Sequence, residues 1–393
     1  MIVKLGGVGD AVLATPILAP LSERHPAARL DVACWSAAQP VFLGNPRIGE
    51  VFSSPILDAA GFGHLARSLR FRELARLRTF FRGADAVLFL NRICTVGGFL
   101  KLLFAAALSG AAAKVGLDTD NRRGAFLDVR VPDPGYLVRH EVTYVRDILA
   151  ALGIDVAPER LRATIHVDEA ARRRVDDLLF PLGGRPFMTL HVGSSKEGWR
   201  ALKRLPLQVW LDLAARIARD FGTPLVLVGG REDRDANAEF LARAPEHGLA
   251  GHPLFDLGDR TTLPELLEVI SRSSLFVGTD SGVAHVGGCS RTPLVTVFLF
   301  SDSVGFAPLG DRSHVLSRRL VCNPCLYRKG YETCVRRECF GISAEEIFAK
   351  VRSVLGSSGG PGPLDTPALP RRPWRSRPDA ADRPDRPKTL VRP

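Results

Sequence analysis

One short stretch frames the chain: Thr279-Asp280-Ser281-Gly282-Val283-Ala284-His285. Ahead of it, Ser274 to Gly278 is an apolar run with a β-branched residue, the pattern of a buried strand. Behind it, the small residues from Val283 to Cys289 suit a closely packed helix, and Thr292-Pro293 precedes a further apolar run, Leu294 to Phe300. A strand that turns into a helix and leads to another strand is the grammar of a parallel sheet covered by helices. At the Asp-Ser-Gly step the first backbone N–H groups of the helix and the positive end of its dipole converge, which makes an anion site. Ser281 adds a hydroxyl, Gly282 lets a ligand approach the backbone, and His285 lies one turn below Ser281. An Asp280 or Ser281 that serves only as an N-cap gives the same pattern.

The N-terminus follows the same grammar. Ile2 to Leu5 reads as a strand, opens into Gly6-Gly7-Val8-Gly9-Asp10, and continues as an apolar helix from Ala11 to Leu21 that Pro16 and Pro20 divide. Leu30 to Trp35 is the next strand. The glycine turn lacks the third spaced glycine of a dinucleotide fingerprint and ends in an acid instead. Asp10 at the carboxyl edge of a first strand lies in the ligand crevice of an open α/β sheet, placed to act as a general base or simply to cap its helix.

Between these turns the grammar repeats. Arg67, Arg70, Arg72, Arg76, Arg78 and Arg82 crowd one segment, either a solvated helix face or a docking surface for an anionic acceptor. Ala86 to Leu90 reads as a strand that ends in Asn91-Arg92, with both side chains aimed at the crevice. Val96 to Ala113, interrupted by Lys101, reads as a core helix or, as the alternative, a membrane-surface helix, and Val115 to Leu117 as a short strand. A helix from His140-Glu141 runs to about Leu152. The pattern then starts again, so a second domain begins between about 155 and 185. Pro186 to Val192 is a strand, Pro206 starts a helix, Leu225 to Val228 is a strand ending at Gly229-Gly230 and the acids Glu232 and Asp233, and Thr262 starts another helix. Asp233-Arg234-Asp235 has metal-binding spacing but reads as a charged first turn.

Composition sets the outer limits. The chain has 393 residues, enough for two domains, and 46% of them are hydrophobic, enough for substantial cores. From Gly356 to Pro393, eight Lys and Arg face four Asp, so +4 of the net charge of +11 belongs to a segment with nine prolines, which reads as a disordered tail. The rest suits phosphate-bearing or anionic lipid partners, and no nucleic-acid-binding signature accompanies it. No signal-peptide pattern opens the chain and no apolar run reaches the roughly 20 residues that span a bilayer. A cytoplasmic protein, touching the cytoplasmic face of the inner membrane at most peripherally, is expected.

Lys4-Leu5-Gly6-Gly7-Val8-Gly9-Asp10 with Thr15-Pro16 resembles the opening of glycosyltransferase family 9, the lipopolysaccharide heptosyltransferases. His191-Val192-Gly193-Ser194-Ser195, Lys203-Arg204-Leu205-Pro206, Asp280 to His285 and Arg291-Thr292-Pro293 are similar to later motifs of that family, in the same order, over roughly residues 1 to 355. The resemblance implies a GT-B fold: residues 1–170 as an acceptor-binding Rossmann-like domain, 171–341 as a nucleotide-sugar-binding one, and a C-terminal helix, 342–355, that lies back across the boundary. It implies an inverting, metal-independent transfer of a heptose from an ADP-activated donor to an anionic glycolipid acceptor. Asp10 then matches the base, with Gly9 and Arg92 on the acceptor side. Lys203 matches the lysine on the donor diphosphate, and Ser194 and Ser195 lie beside it. Asp280 matches the acid near the donor sugar, Ser281, Gly282 and Val283 hold phosphate, His285 completes the donor site and Glu232 reaches the ribose. Family members commonly carry tryptophan where this chain has Leu205, which bears on the donor site's shape.

Cys322, Cys325, Cys334 and Cys339 have spacing compatible with a structural zinc, or with reduced thiols that pack. Two other classes fit part of the pattern: a non-catalytic sugar-nucleotide-binding protein, and an NAD-dependent oxidoreductase, against which the glycine spacing argues.

Overall fold

The computed structural model describes residues 1–59, 71–93, 95–119, 123–133, 139–193, 203–318, 320 and 338–356. The first domain runs β1 (Ile2–Lys4), α1 (Val8–Ala14), α2 (Leu18–Arg24), β2 (Asp31–Cys34), β3 (Glu50–Phe52), α3 (Phe71–Phe81), β4 (Ala86–Phe89), α4 (Val96–Ser109), β5 (Ala113–Thr119), β6 (Val129–Asp133) and α5 (Glu141–Ala151). The second runs α6 (Glu169–Leu179), β7 (Met188–His191), α7 (Leu207–Phe221), β8 (Leu225–Leu227), α8 (Arg234–Arg243), β9 (Leu254–Asp256), α9 (Leu263–Ser271), β10 (Leu275–Thr279), α10 (Gly282–Gly287), β11 (Leu294–Phe298), β12 (Ser313–Ser317) and α11 (Ala344–Gly356).

Each domain is a six-stranded sheet, ordered β3-β2-β1-β4-β5-β6 and β12-β11-β10-β7-β8-β9. Every strand pairing is parallel. Counted from its own first strand, the second sheet has the same order as the first, the doubly wound order of nucleotide-binding folds. The chain reverses its direction of winding between β1 and β4, and again between β7 and β10. At such points the loops part and a crevice opens at the carboxyl ends of the strands. Asp10, Asn91, Gly193 and Asp280 all follow those four strands.

Local sequence explains the pieces. Pro16 lies in a 3-10 turn, Thr15–Ile17, that separates α1 from α2. Thr262 and Glu265 form a capping box at α9, and Ser343 with Glu346 does the same ahead of α11. Edge strands β3, β9 and β12 carry no long apolar run: Leu254–Asp256 and Ser313–Ser317 are half-buried throughout. They and β6 add to the strands expected from pattern.

Two expectations need correction. The helix α11 does not lie back on the first domain. It buries Ile347, Phe348, Val351 and Val354 in the same core as Trp210 and Leu213 of α7 and Val295 of β11, because its apolar stripe recurs at three- and four-residue spacing facing that sheet. The second concerns α4, which is only half core. Leu102, Ala105 and Ala106 are buried, whereas Val96, Leu100, Leu103 and Phe104 are exposed, since helices cover the sheet in a single layer there.

The domains meet through one continuous apolar cluster that joins Ile17, Val41 and Phe42 to Leu266, Ile270 and Val286. Two hydrogen bonds add to it: the Glu141 N–H donates to Gly305 O at 2.9 Å, and His140 Nε2 donates to Ala307 O at 2.9 Å. The donor role of Nε2 follows because His140 Nδ1 accepts the Val142 N–H at 3.1 Å.

Candidate active site

Two helix N-termini face each other across the domain boundary. The α1 turn brings Val8 and Gly9 against Gly282 and His285 of the α10 turn. A Cβ on Gly9 would stand 2.5 Å from His285 Cδ2, and one on Gly282 would stand 3.1 Å from Val8 Cβ. The backbones approach closely because both positions are glycine.

Asp10 sits in the first turn of α1, half-buried, and its Oδ2 accepts the Gly7 N–H at 3.1 Å. It therefore does cap its helix, but Oδ1 makes no hydrogen bond among the described residues. The carboxylate lies near enough to Glu141 and to His285 for its charge to favour the protonated form of each. That is a half-exposed acid at the seam, held by one oxygen.

Below it lies a buried ionic cluster. Lys4 Nζ donates to Leu90 O at 2.9 Å and faces Glu141 at 3.9 Å. Arg92, whose side chain is 5% exposed, pairs with Glu141 at 3.2 Å and Asp133 at 3.6 Å, and its guanidinium lies 4.5 Å over the Tyr144 ring. Burial pushes the Glu141 carboxyl up against the pull of Lys4 and Arg92. The side chains expected to face the crevice are thus spent inside the domain: Arg92 braces Glu141, and Asn91 ties off the end of β1, accepting the Leu5 N–H at 2.8 Å and donating to Leu5 O at 2.6 Å.

On the second domain, Lys203 forms an ion pair with Asp280, both largely buried. Burial pushes the Asp280 carboxyl up, but the Lys203 charge and hydrogen bonds from Lys203 and Ser301 outweigh it, so the carboxyl lies below its ordinary value. An ammonium and a carboxylate are therefore fixed where β10 gives way to α10. Ser281 is the N-cap of α10, its Oγ accepting the Ala284 N–H at 3.4 Å. His285 is 5% exposed, and burial lowers its pKa to about 4. It is a neutral imidazole, its Nδ1 buried without a hydrogen bond among the described residues.

A three-residue chain backs this turn. Asp233 Oδ2 accepts the Gly230 N–H at 2.9 Å and lies 3.2 Å from His191 Nε2; His191 Nδ1 lies 3.2 Å from Ser281 Oγ. Burial raises the Asp233 carboxyl, but the bond to His191 and then the Gly230 amide outweigh it and hold it below its ordinary value. As a carboxylate Asp233 only accepts, so His191 Nε2–H donates to it while Nδ1 lies within hydrogen-bond distance of the Ser281 hydroxyl. The ends of β7, β8 and β10 are locked together in this way. Spacing left His191 as part of a motif and Asp233 as a charged turn; the available signal was Gly230-x-x-Asp233, which repeats Gly7-x-x-Asp10.

Glu232 is exposed in the turn after β8, on the same carboxyl side of the sheet. Ser194 and Ser195 lie outside the described residues, as do Cys322, Cys325 and Cys334. Cys339 is buried in the second core. Among the described residues no three His, Cys, Asp or Glu side chains gather to hold a metal ion.

Residues 97–335 match the family model described as glycosyltransferase family 9 (heptosyltransferase). The chain belongs to this family. Among its relatives is lipopolysaccharide heptosyltransferase 3 of Escherichia coli, 24% identical over 309 residues, which span 76% of this chain and 83% of that protein. A family 9 glycosyltransferase structure from Veillonella parvula DSM 2008 superposes with a TM-score of 0.73 at 19% identity, covering 91% of this chain and 97% of that one. The E. coli heptosyltransferase WaaC with ADP gives 0.63 at 16% identity, over 90% and 98%. This family 9 glycosyltransferase has the GT-B architecture of those neighbours.

Proposed function

We propose that the protein transfers a heptose from an ADP-activated donor to a lipopolysaccharide core acceptor, with inversion and without a catalytic metal. The observation that carries this reading is the seam itself: Asp10 on one wall, and Lys203, Asp280 and the α10 turn on the other. Asp10 acts as the base that takes the acceptor hydroxyl proton. Lys203, the backbone N–H groups of Gly282 and Val283 and the Ser281 position meet the charge that grows on the leaving diphosphate. Asp280 orients Lys203 and lies toward the donor sugar, and Glu232 takes the ribose. Ser194 and Ser195 complete the diphosphate site by their place in the motif. Neutral His285 packs on Gly9 and seals the seam from the donor side. The relatives named for lipopolysaccharide and the ADP-bound fold neighbour support the choice of acceptor and nucleotide. A patch of first-domain surface brings the enzyme to the membrane that holds such an acceptor.

The test pairs calorimetry with turnover, both in EDTA. ADP should bind in preference to UDP, and Lys203→Ala should weaken it about ten- to a hundredfold, the worth of one charge-assisted contact. Asp10→Asn should keep ADP affinity and lose about 10²–10⁴-fold in transfer. Transfer that survives Asp10→Asn removes it from the base role, and transfer that stops in EDTA and returns with a divalent ion overturns the metal-free reading.

A further inference from the structure

The outward face of α4 departs from the pattern of a surface helix. Val96 is 68% exposed, and Leu100, Leu103 and Phe104 are each more than a third exposed. These positions recur at spacings of four, three and one, so they form one apolar stripe. The helix holds a single charged residue, Lys101, which turns inward to donate to Leu57 O and Ala59 O at 3.2 and 2.8 Å. Of the eight large hydrophobics exposed on the described chain, five lie on α3 and α4, Phe71 being the fifth at 87%. Scattered apolar residues need no explanation, but a contiguous set marks an interaction surface.

Both helices lie on one face of the first sheet, since Leu77 and Phe81 of α3 share a core cluster with Leu102, Ala105 and Ala106 of α4. Their outer sides therefore form one surface. The α3 side presents Arg72, Arg78 and Arg82, all exposed, while its one acid, Glu73, is paired with Arg76 at 3.0 Å. At about 1.5 Å per residue, the 14 residues of α4 reach roughly 21 Å, short of the ~30 Å of a bilayer core. An apolar stripe that cannot span, flanked by arginines, is the composition of a helix that lies in an anionic lipid interface. A second copy of the chain fits less well, because a two-fold contact would set the arginines of one patch against those of the other.

We infer that the α3–α4 surface docks the enzyme on an anionic bilayer, the apolar stripe entering the headgroup region and the arginines meeting lipid phosphates. This deepens the acceptor reading above and rests on it for its purpose. The topology suits that purpose, since α4 starts just after the carboxyl end of β4, the edge of the sheet where Asp10 lies.

The full-length protein should co-sediment with phosphatidylcholine vesicles containing phosphatidylglycerol, and about tenfold less with phosphatidylcholine alone or at high salt. Leu100→Gln with Leu103→Gln and Phe104→Gln should lower partitioning about tenfold or more. Arg72→Gln with Arg78→Gln and Arg82→Gln should erase the preference for phosphatidylglycerol. Both variants should keep the ADP affinity of the parent, so a failed nucleotide reading and a failed membrane reading separate. Undiminished vesicle binding by the variants assigns adhesion to another part of the chain, such as the basic C-terminal tail, and overturns the inference. So does sedimentation velocity showing that the glutamine variant converts a dimer to a monomer.

Discussion

At His285 a buried imidazole has been kept neutral, and its protonation makes a pH signature. An unfolded histidine titrates near 6.5 and this one near 4. Between those values the unfolded chain binds a proton that the folded chain refuses, so stability falls as pH drops through the window, by about 3 kcal/mol in total. Above pH 6.5 the term is fully retained. Thermal unfolding followed from pH 7 to pH 4 should show this slope, and His285→Asn should flatten it, whatever the variant does to absolute stability. An unchanged slope would assign the loss to other groups. At this scale the sequence was partly legible. Asp10, Lys203 and Asp280 stood out through their motifs, and the structure sets all three at the turns along the seam. Arg92 could not be placed, because a strand-end arginine reads the same whether it faces a ligand or a buried Glu141. Its confinement depends on Asp133, Glu141 and Tyr144, which arrive from β6 and α5.

Among elements, the short helices α1 and α10 carry the geometry of the site, and their contact is set by what one residue lacks. Gly9→Ala places a methyl group 2.5 Å from His285 Cδ2, so the two turns must part. A displacement on the order of 1 Å in a reacting geometry costs about 10²-fold in rate. Transfer should fall by that order while ADP affinity, which the proposed function assigns to Lys203 and the α10 turn, changes less than about threefold. Steady-state kinetics beside calorimetry decides it; equal losses in both would mean that the second domain itself had been disturbed. The central strands were readable because burial on both faces leaves continuous apolar runs, as in β8 and β10. The edges were not, since β9 and β12 are half-buried throughout and carry no long apolar run. The α4 helix is the opposite case: an apolar run reads as core or as a surface helix alike, and the layer count of the fold shows that half of it faces outward.

For the whole molecule, what matters is how two sheets of the same winding are held in register. The apolar cluster supplies area without direction, and the hydrogen bonds at the start of α5 supply the direction. His140→Ala should remove the bond to Ala307 and the cap on Val142, costing about 1–2 kcal/mol. For a protein of this size that lowers the unfolding midpoint by a few degrees, on the order of 2–4 °C per kcal/mol. Small-angle scattering should report a larger radius of gyration, and an unaltered radius would show that the apolar cluster suffices. This part of the molecule left no trace in the sequence motifs, for a simple reason. The partners that His140 and Glu141 find across the boundary are the carbonyl oxygens of Ala307 and Gly305, which every residue type possesses. Mutation at Ala307 can change its methyl group without touching the atom that is used. Such a contact drifts freely in evolution, and relatives that differ there in sequence can keep the same closure of one half upon the other.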